Sequence, residues 1–96
     1  MNQYNETKTT LENSIIDLQG KQLEMIAKIN LVSQLPDGEE ISLSYLDSKF
    51  PIKVDRSIRE TLLLTLNKEL SRMNRLEDSL LHSLSLVNYS IKMESE

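Results

Sequence analysis

The apolar residues of this chain recur at alternating steps of three and four along two long stretches, and no other feature restricts the fold as strongly. The first set is Leu11, Ile15, Leu18, Met25, Ile29 and Val32. The second set is Leu63, Leu66, Leu70, Met73, Leu80, Leu84, Val87 and Ile91. Because residues three and four apart share one face of an α-helix, each stretch predicts a helix with one continuous apolar seam.

Turn and capping residues set the limits of the two helices. The first helix is predicted over about 7–33, because the Pro-Asp-Gly sequence at 36–38 is a strong turn signal. The second helix is predicted over about 55–92. Asp55 is its expected N-cap, because a carboxylate there accepts hydrogen bonds from the free N–H groups of the first helical turn.

The connection between the helices covers residues 34–54 and allows two interpretations. Helical spacing favours a short helix over 43–49, and the residues that carry this spacing are Leu43, Leu46 and Phe50. Simple alternation instead suits a pair of short strands, and the alternating residues are Ile41, Leu43 and Tyr45. We prefer the short helix, which Pro51 would end because the residue before a proline avoids the helical region.

Length and composition agree with a small helical domain. The 96 residues predict a single domain over 1–96, and helix-forming residues dominate. The chain has no cysteine, which excludes disulfides and cysteine metal sites, and one histidine alone does not form a metal site. The predicted fold class is all-α, with two long helices in an antiparallel hairpin.

A second apolar stripe runs along the first helix, on the side opposite its seam. Its members are Ile16, Gly20, Leu23, Ala27 and Leu31. A helix that is apolar on two faces requires neighbours on both of them. Gly20 costs about 1 kcal/mol relative to alanine in a helix interior. Together with Ala27, it would let another backbone approach closely, and we therefore expect this stripe to be a self-association or partner surface.

The unequal helix lengths also favour association. At 1.5 Å per residue, the first helix spans roughly 40 Å and the second roughly 55 Å. The far end of the second helix, with Leu84, Val87 and Ile91, therefore needs cover from the connection, the N-terminal segment or another chain. These three residues join the expected self-association surface, and we expect a homodimer or higher oligomer that packs as a helical bundle.

The charge of the chain is unevenly distributed, although its net value is −4. Residues 49–75 carry seven basic and three acidic side chains, whereas the segments on both sides are acidic. Lys68, Arg72 and Arg75 share one face of the second helix, opposite its seam. They form either a solvated helix back or a site for an anionic ligand such as a nucleotide.

Arg56 and Arg59 extend this possible anion-binding set into the first turn of the second helix. Positive charge at a helix N-terminus opposes the helix dipole and requires compensation. Either an anionic ligand or nearby carboxylates would supply it. The carboxylates close in sequence are Glu39, Glu40, Asp47 and Asp55.

Two polar residues, Gln22 and Glu77, occupy positions in the apolar seams. A polar group in a seam often fixes helix register and oligomeric state, which is the role expected of Gln22. For Glu77 we expect partial exposure or an ion pair with a lysine or arginine across the interface. His82 lacks a neighbouring nucleophile or orienting group, and no glycine-rich phosphate loop is present. We therefore predict no catalytic residue, no metal site and no cofactor.

The layout of about ninety residues as long helix, short helix and long helix resembles that of the intertwined dimeric chorismate mutases. That family has an arginine-rich active site that includes arginines on its first helix. The first helix of this chain has only the lysines Lys8, Lys21 and Lys28. No site residue of that family is carried over to this sequence.

The sequence thus predicts a non-enzymatic protein-interaction module, a small helical oligomer that acts as an adaptor, inhibitor or assembly factor. Such chains are common among phage and mobile-element accessory proteins. The alternatives are a binder of a small anionic ligand and a nucleic-acid-associated factor, although the acidic flanks and the scarcity of aromatics argue against nucleic acid. A polar N-terminus and the lack of a long apolar run predict a soluble, cytoplasmic protein without membrane contact.

Overall fold

The computed structural model describes residues 3–38, 40–42 and 51–95. It contains helix α1 (Gln3–Gln34), strand β1 (Glu40–Ser42), strand β2 (Pro51–Lys53) and helix α2 (Arg56–Ser95). The prediction of an essentially helical chain with two long helices is confirmed. The short helix expected over 43–49 lies outside the described residues.

Helix α1 begins four residues before its predicted start. Its first turns have no apolar period, but their threonine hydroxyls donate to backbone carbonyls four residues earlier. For Thr10 the acceptor is the carbonyl of Glu6, at 3.0 Å. The polar segment thus belongs to α1 from Gln3 onwards, and these hydroxyls are satisfied within the helix.

The N-cap predicted for α2 is confirmed. The backbone N–H of Ile58 donates to Asp55 Oδ1 at 2.8 Å. The N–H of Arg59 donates to the Asp55 carbonyl at 2.9 Å, which is the first hydrogen bond of the helix. Asp55 therefore satisfies a free donor and brings negative charge to the positive end of the helix dipole.

A small antiparallel ladder stands in the connection. It pairs Glu40 with Lys53, Ile41 with Ile52 and Ser42 with Pro51. Ahead of it, Gly38 has a φ of 87°, a value that residues with a side chain rarely adopt, and its N–H donates to the Val54 carbonyl at 2.7 Å. The strand alternative for the connection is thus realised at residues 40–42 and 51–53.

The contacts of the chain form two units, and each unit contains part of both long helices. The first unit comprises residues 1–23 and 71–96 and buries Ile15 and Leu18. The second comprises residues 24–70 and buries Val32, Leu66 and, completely, Val54. The other residues of the two predicted seams are half-buried, and none of them is fully buried.

Candidate functional site

The second stripe of α1 is exposed in the structure. Ile16 is 64% exposed and Leu23 is 68% exposed, far more than the buried seam residues of the same helix. Gly20, Ala27 and Leu31 are exposed as well. We call these five residues the outer stripe. The sequence correctly separated them from the seam, and their role in association remains a prediction.

Gly20 lies in open surroundings. A Cβ atom built on it would meet nothing within 4 Å, apart from the backbone of its own helix. No positive φ is found at this position, so the backbone does not require glycine there. The chain itself therefore gives no reason for a glycine in the middle of a long helix, where alanine would be more stable.

A shallow groove accompanies the outer stripe in the second unit. Its volume is about 380 Å³, and the described residues that line it are Glu24, Ala27, Lys28 and Leu31. The groove is open to solvent, and its described lining offers one carboxylate and one ammonium group. These features suit contact with another apolar surface better than capture of a small ligand.

One flank of the outer stripe carries charges of alternating sign. Their order is Asp17, Lys21, Glu24 and Lys28, at steps of four, three and four along α1. Within the described part of the chain, none of the four takes part in a salt bridge or a side-chain hydrogen bond. We call them the charge ladder.

A polar network crosses between the helices inside the first unit. The buried Gln22 donates through Nε2 to Asn74 Oδ1 at 2.9 Å and to Glu77 Oε1 at 3.5 Å. Gln19 Nε2 donates to Glu77 Oε2 at 3.1 Å. Glu77 is partly exposed, which is one of the two alternatives predicted for it. Its hydrogen-bond partners among the described residues are the amides of Gln19 and Gln22.

The network also shows which end of α1 covers the far end of α2. As the residue number rises from Gln19 to Gln22, the contact moves back from Glu77 towards Asn74, so the helices run antiparallel here. The first turns of α1 therefore lie alongside the last turns of α2. Leu84, Val87 and Ile91 are half-buried, and they do not form the open surface that the length argument suggested.

A different apolar patch, which was not predicted from the sequence, lies on the outside of α2. Leu86, Tyr89 and Met93 are 55%, 63% and 53% exposed. Their spacing of three and four places them on one face, opposite the seam. Tyr89 is the most exposed of the three. The spacing itself was the available signal.

The two arginines at the start of α2 are already paired. Arg56 Nε lies 3.2 Å from Glu60 Oε1. Arg59 forms an ion pair with Asp37 and donates to the Leu35 carbonyl at 2.7 Å. Among the described residues, the carboxylates that compensate these arginines are Glu60 and Asp37. Of the carboxylates named from the sequence, Glu39 and Asp47 lie outside the described residues.

Arg59 thereby fixes the turn that follows α1. Its side chain is only 20% exposed, and its Nε is buried without a hydrogen-bond partner. The guanidinium satisfies a carbonyl just beyond the end of α1, where helix carbonyls lack partners. These contacts assign Arg59 a structural role.

The remaining members of the possible anion-binding set lie on the surface of α2. Lys68, Arg72, Arg75 and also His82 are exposed, on the side away from the seam. Among residues 3–38, 40–42 and 51–95, no group of histidine and acidic side chains is arranged to hold a metal ion. In the same part of the chain, neither helix has a stretch apolar enough to cross a membrane.

Exposed apolar side chains thus lie on the outer faces of both helices within the described part of the chain. Comparison of the chain with protein-family models, with curated proteins and with solved structures gives no match.

Proposed function

We propose that this chain is a non-enzymatic protein-interaction module that works as a homo-oligomer assembled through the outer stripe of α1. The observation that carries the proposal is the exposure of Ile16 and Leu23, which is about two thirds for each side chain. Both side chains lie on the face opposite a seam that is already occupied within the chain. Their burial in a second copy would remove this surface from water.

Gly20 also favours the outer stripe as the interface. An exposed glycine in a helix interior lowers stability by about 1 kcal/mol relative to alanine. Since nothing in the chain occupies the space beside Gly20, its own fold gains nothing from the missing side chain. The gain arises if a neighbouring helix packs against this point, because the absence of a Cβ lets two backbones approach closely.

The expected affinity is moderate. Complete burial of an aliphatic side chain contributes about 1.5–3 kcal/mol, and both residues start from roughly two-thirds exposure. Two copies of Ile16 and Leu23 would then contribute about 4–8 kcal/mol, which is comparable to the cost of association itself. Further contacts from Ala27, Leu31 and the charge ladder would have to provide the net stability. We therefore expect reversible association at micromolar concentration.

An assembly of this kind suits an adaptor, an inhibitor or an assembly factor, because it leaves the outer face of α2 free for another protein. Leu86, Tyr89 and Met93 offer apolar surface there. The anion-binding alternative has less support, since Arg56 and Arg59 already contact carboxylates.

The test is the concentration dependence of the molecular mass in solution. Sedimentation velocity from low to high micromolar concentration should show reversible association of the unmodified protein. Ile16→Ser combined with Leu23→Ser should shift the protein to monomer without unfolding it, because both side chains are exposed. The matched control is Leu64→Ser, which removes a leucine of 58% exposure from α2.

This control should associate like the unmodified protein. Circular dichroism at each concentration would verify that every variant remains helical. If the unmodified protein is monomeric over the whole range, or if the control dissociates as readily as the double variant, the outer stripe is not the interface.

A further inference from the structure

The charge ladder makes α1 complementary to a second copy of itself in one orientation. From the N-terminal end, the signs of Asp17, Lys21, Glu24 and Lys28 are negative, positive, negative and positive. Read from the other end, every sign is reversed. Two ladders that meet head to tail therefore place each charge against its opposite, and none of these charges has a partner within the described chain.

We propose that the outer stripe is covered by α1 of a second copy, antiparallel to the first and related to it by a two-fold axis. In this arrangement Asp17 faces the partner's Lys28, and Lys21 faces the partner's Glu24. The symmetry repeats both contacts, which gives four ion pairs along one edge of the interface. The proposal rests on the function proposed above and specifies the geometry of that association.

The apolar residues of the stripe fit the same orientation. Antiparallel packing brings Ile16 against the partner's Ala27, and Leu23 against the partner's Gly20. Each layer then combines one large and one small side chain, which fills the space between the helices evenly. This arrangement would explain why position 20 is a glycine, which the contacts within its own chain do not. The space left by the missing Cβ accommodates the partner's Leu23.

The apolar layers and the ion pairs are compatible within the reach of the side chains. The two sets of contacts differ by two residues in their relative shift along α1. This corresponds to about 3 Å at 1.5 Å per residue. The flexible four-carbon stem of a lysine spans that difference, and both lysines of the ladder can therefore adjust to the layers.

A parallel arrangement of the two α1 helices forms neither the apolar layers nor the ion pairs. In an in-register parallel pair, each residue of the stripe meets its own copy, so Gly20 would face glycine and leave a gap beside two opposed leucines. The charge ladder would face the other flank of the stripe, which carries Glu12, Gln19 and Ile26. Since none of these is basic, Asp17 and Glu24 would lack a cation.

Single-cysteine variants test the orientation, because the chain contains no cysteine. We would prepare Ile16→Cys and Ala27→Cys separately, and treat each variant and an equimolar mixture with a short bismaleimide cross-linker. Antiparallel pairing predicts covalent dimers in the mixture only, because positions 16 and 27 of different copies meet. The two copies of position 16 would be about 16 Å apart along the axis, at 1.5 Å per residue.

Sedimentation of the same samples separates the possible failures. If the unmodified protein sedimented beside these samples is monomeric, the proposed function fails together with the geometry. If they associate but each variant cross-links with itself as efficiently as in the mixture, the antiparallel geometry is wrong while the proposed function stands. Dimers in the mixture alone would support both.

Charge exchange gives an independent test with a matched control. Lys21→Glu opposes like charges across the interface and should raise the dissociation constant roughly ten- to thirtyfold at low salt. Adding Glu24→Lys to that variant should restore association, because the reversed pair again faces its opposite. Adding Asp17→Lys to Lys21→Glu instead should not restore association, since it places a lysine against the partner's Lys28.

Both double variants keep the net charge of the unmodified protein, so general electrostatic effects are the same for the two. The difference between them should shrink as salt rises, since exposed charges are screened. Equal association of the two double variants at low salt would overturn the proposed pairing.

Discussion

Replacement of Gly20 separates the stability of the single chain from the stability of the assembly. Gly20→Ala should raise the free energy of unfolding of the monomer by about 1 kcal/mol, because alanine is the better helix former. A Cβ at this position meets nothing within 4 Å, so no clash offsets the gain. In a domain of this size, the melting temperature should rise by about 4–8 °C.

Gly20→Leu should stabilise the monomer to a similar extent but weaken the assembly. In the proposed interface the new side chain meets the partner's Leu23, and the symmetry repeats this contact. Overpacking of a closely packed site costs about 1–3 kcal/mol, and two such sites should raise the dissociation constant by at least roughly thirtyfold. Gly20→Ala adds a single methyl group and should have a smaller effect on association.

The assay is urea unfolding at two protein concentrations, one below and one above the concentration at which the unmodified protein associates. Below it, both variants should have a higher midpoint than the unmodified protein. Above it, Gly20→Leu should lose the additional stability that association gives to the unmodified protein. A lower midpoint for Gly20→Ala at low concentration would refute the open surroundings of this position. An unchanged dissociation constant for Gly20→Leu would refute its place in an interface.

Two predictions concern contacts within the chain. Gln22→Leu should leave the free energy of unfolding unchanged or raise it by about 1 kcal/mol, because water can solvate the released Asn74 while the new leucine is buried. A clearly lower free energy of unfolding in urea would show that the polar network contributes net stability. Arg59→Lys should lower the free energy of unfolding by about 1–2 kcal/mol, since an ammonium group does not reproduce the fork that reaches both Asp37 and the Leu35 carbonyl. Thermal unfolding that is unchanged by this substitution would contradict the assigned role of Arg59.

The helices and their seams could be predicted from the sequence because they depend on local spacing. Ile15, Leu18 and Leu66 are buried as the period of three and four indicates. The width of the seam on α2 was harder to predict. Leu76 and Leu81 flank the seam in sequence spacing, yet they are 51% and 44% exposed. Spacing identifies a face of a helix, but the rotation of that face towards its neighbour depends on tertiary packing.

Contacts between distant residues lay beyond the reach of local patterns. The pairing of Arg59 with Asp37 joins residues 22 positions apart across the connection, so several carboxylates were equally plausible from the sequence. The start of α1 was missed for another reason. Threonine has a low helix propensity, so the N-terminal segment did not look helical from its sequence. In the structure, its threonine hydroxyls donate to carbonyls of the preceding helical turn.

The two faces of α1 differ in a way that bears on how an oligomer forms. The seam face is occupied within the chain, and its buried Gln22 is satisfied by Asn74 and Glu77 of the same molecule. A dimer that exchanged α2 between copies would reproduce these contacts but would leave Ile16 and Leu23 as exposed as before. The proposed association through the outer stripe would bury both residues and keep the internal contacts. Assembly through this face therefore adds apolar burial to a folded chain, whereas exchange of helices would only replace one set of contacts with an equivalent one.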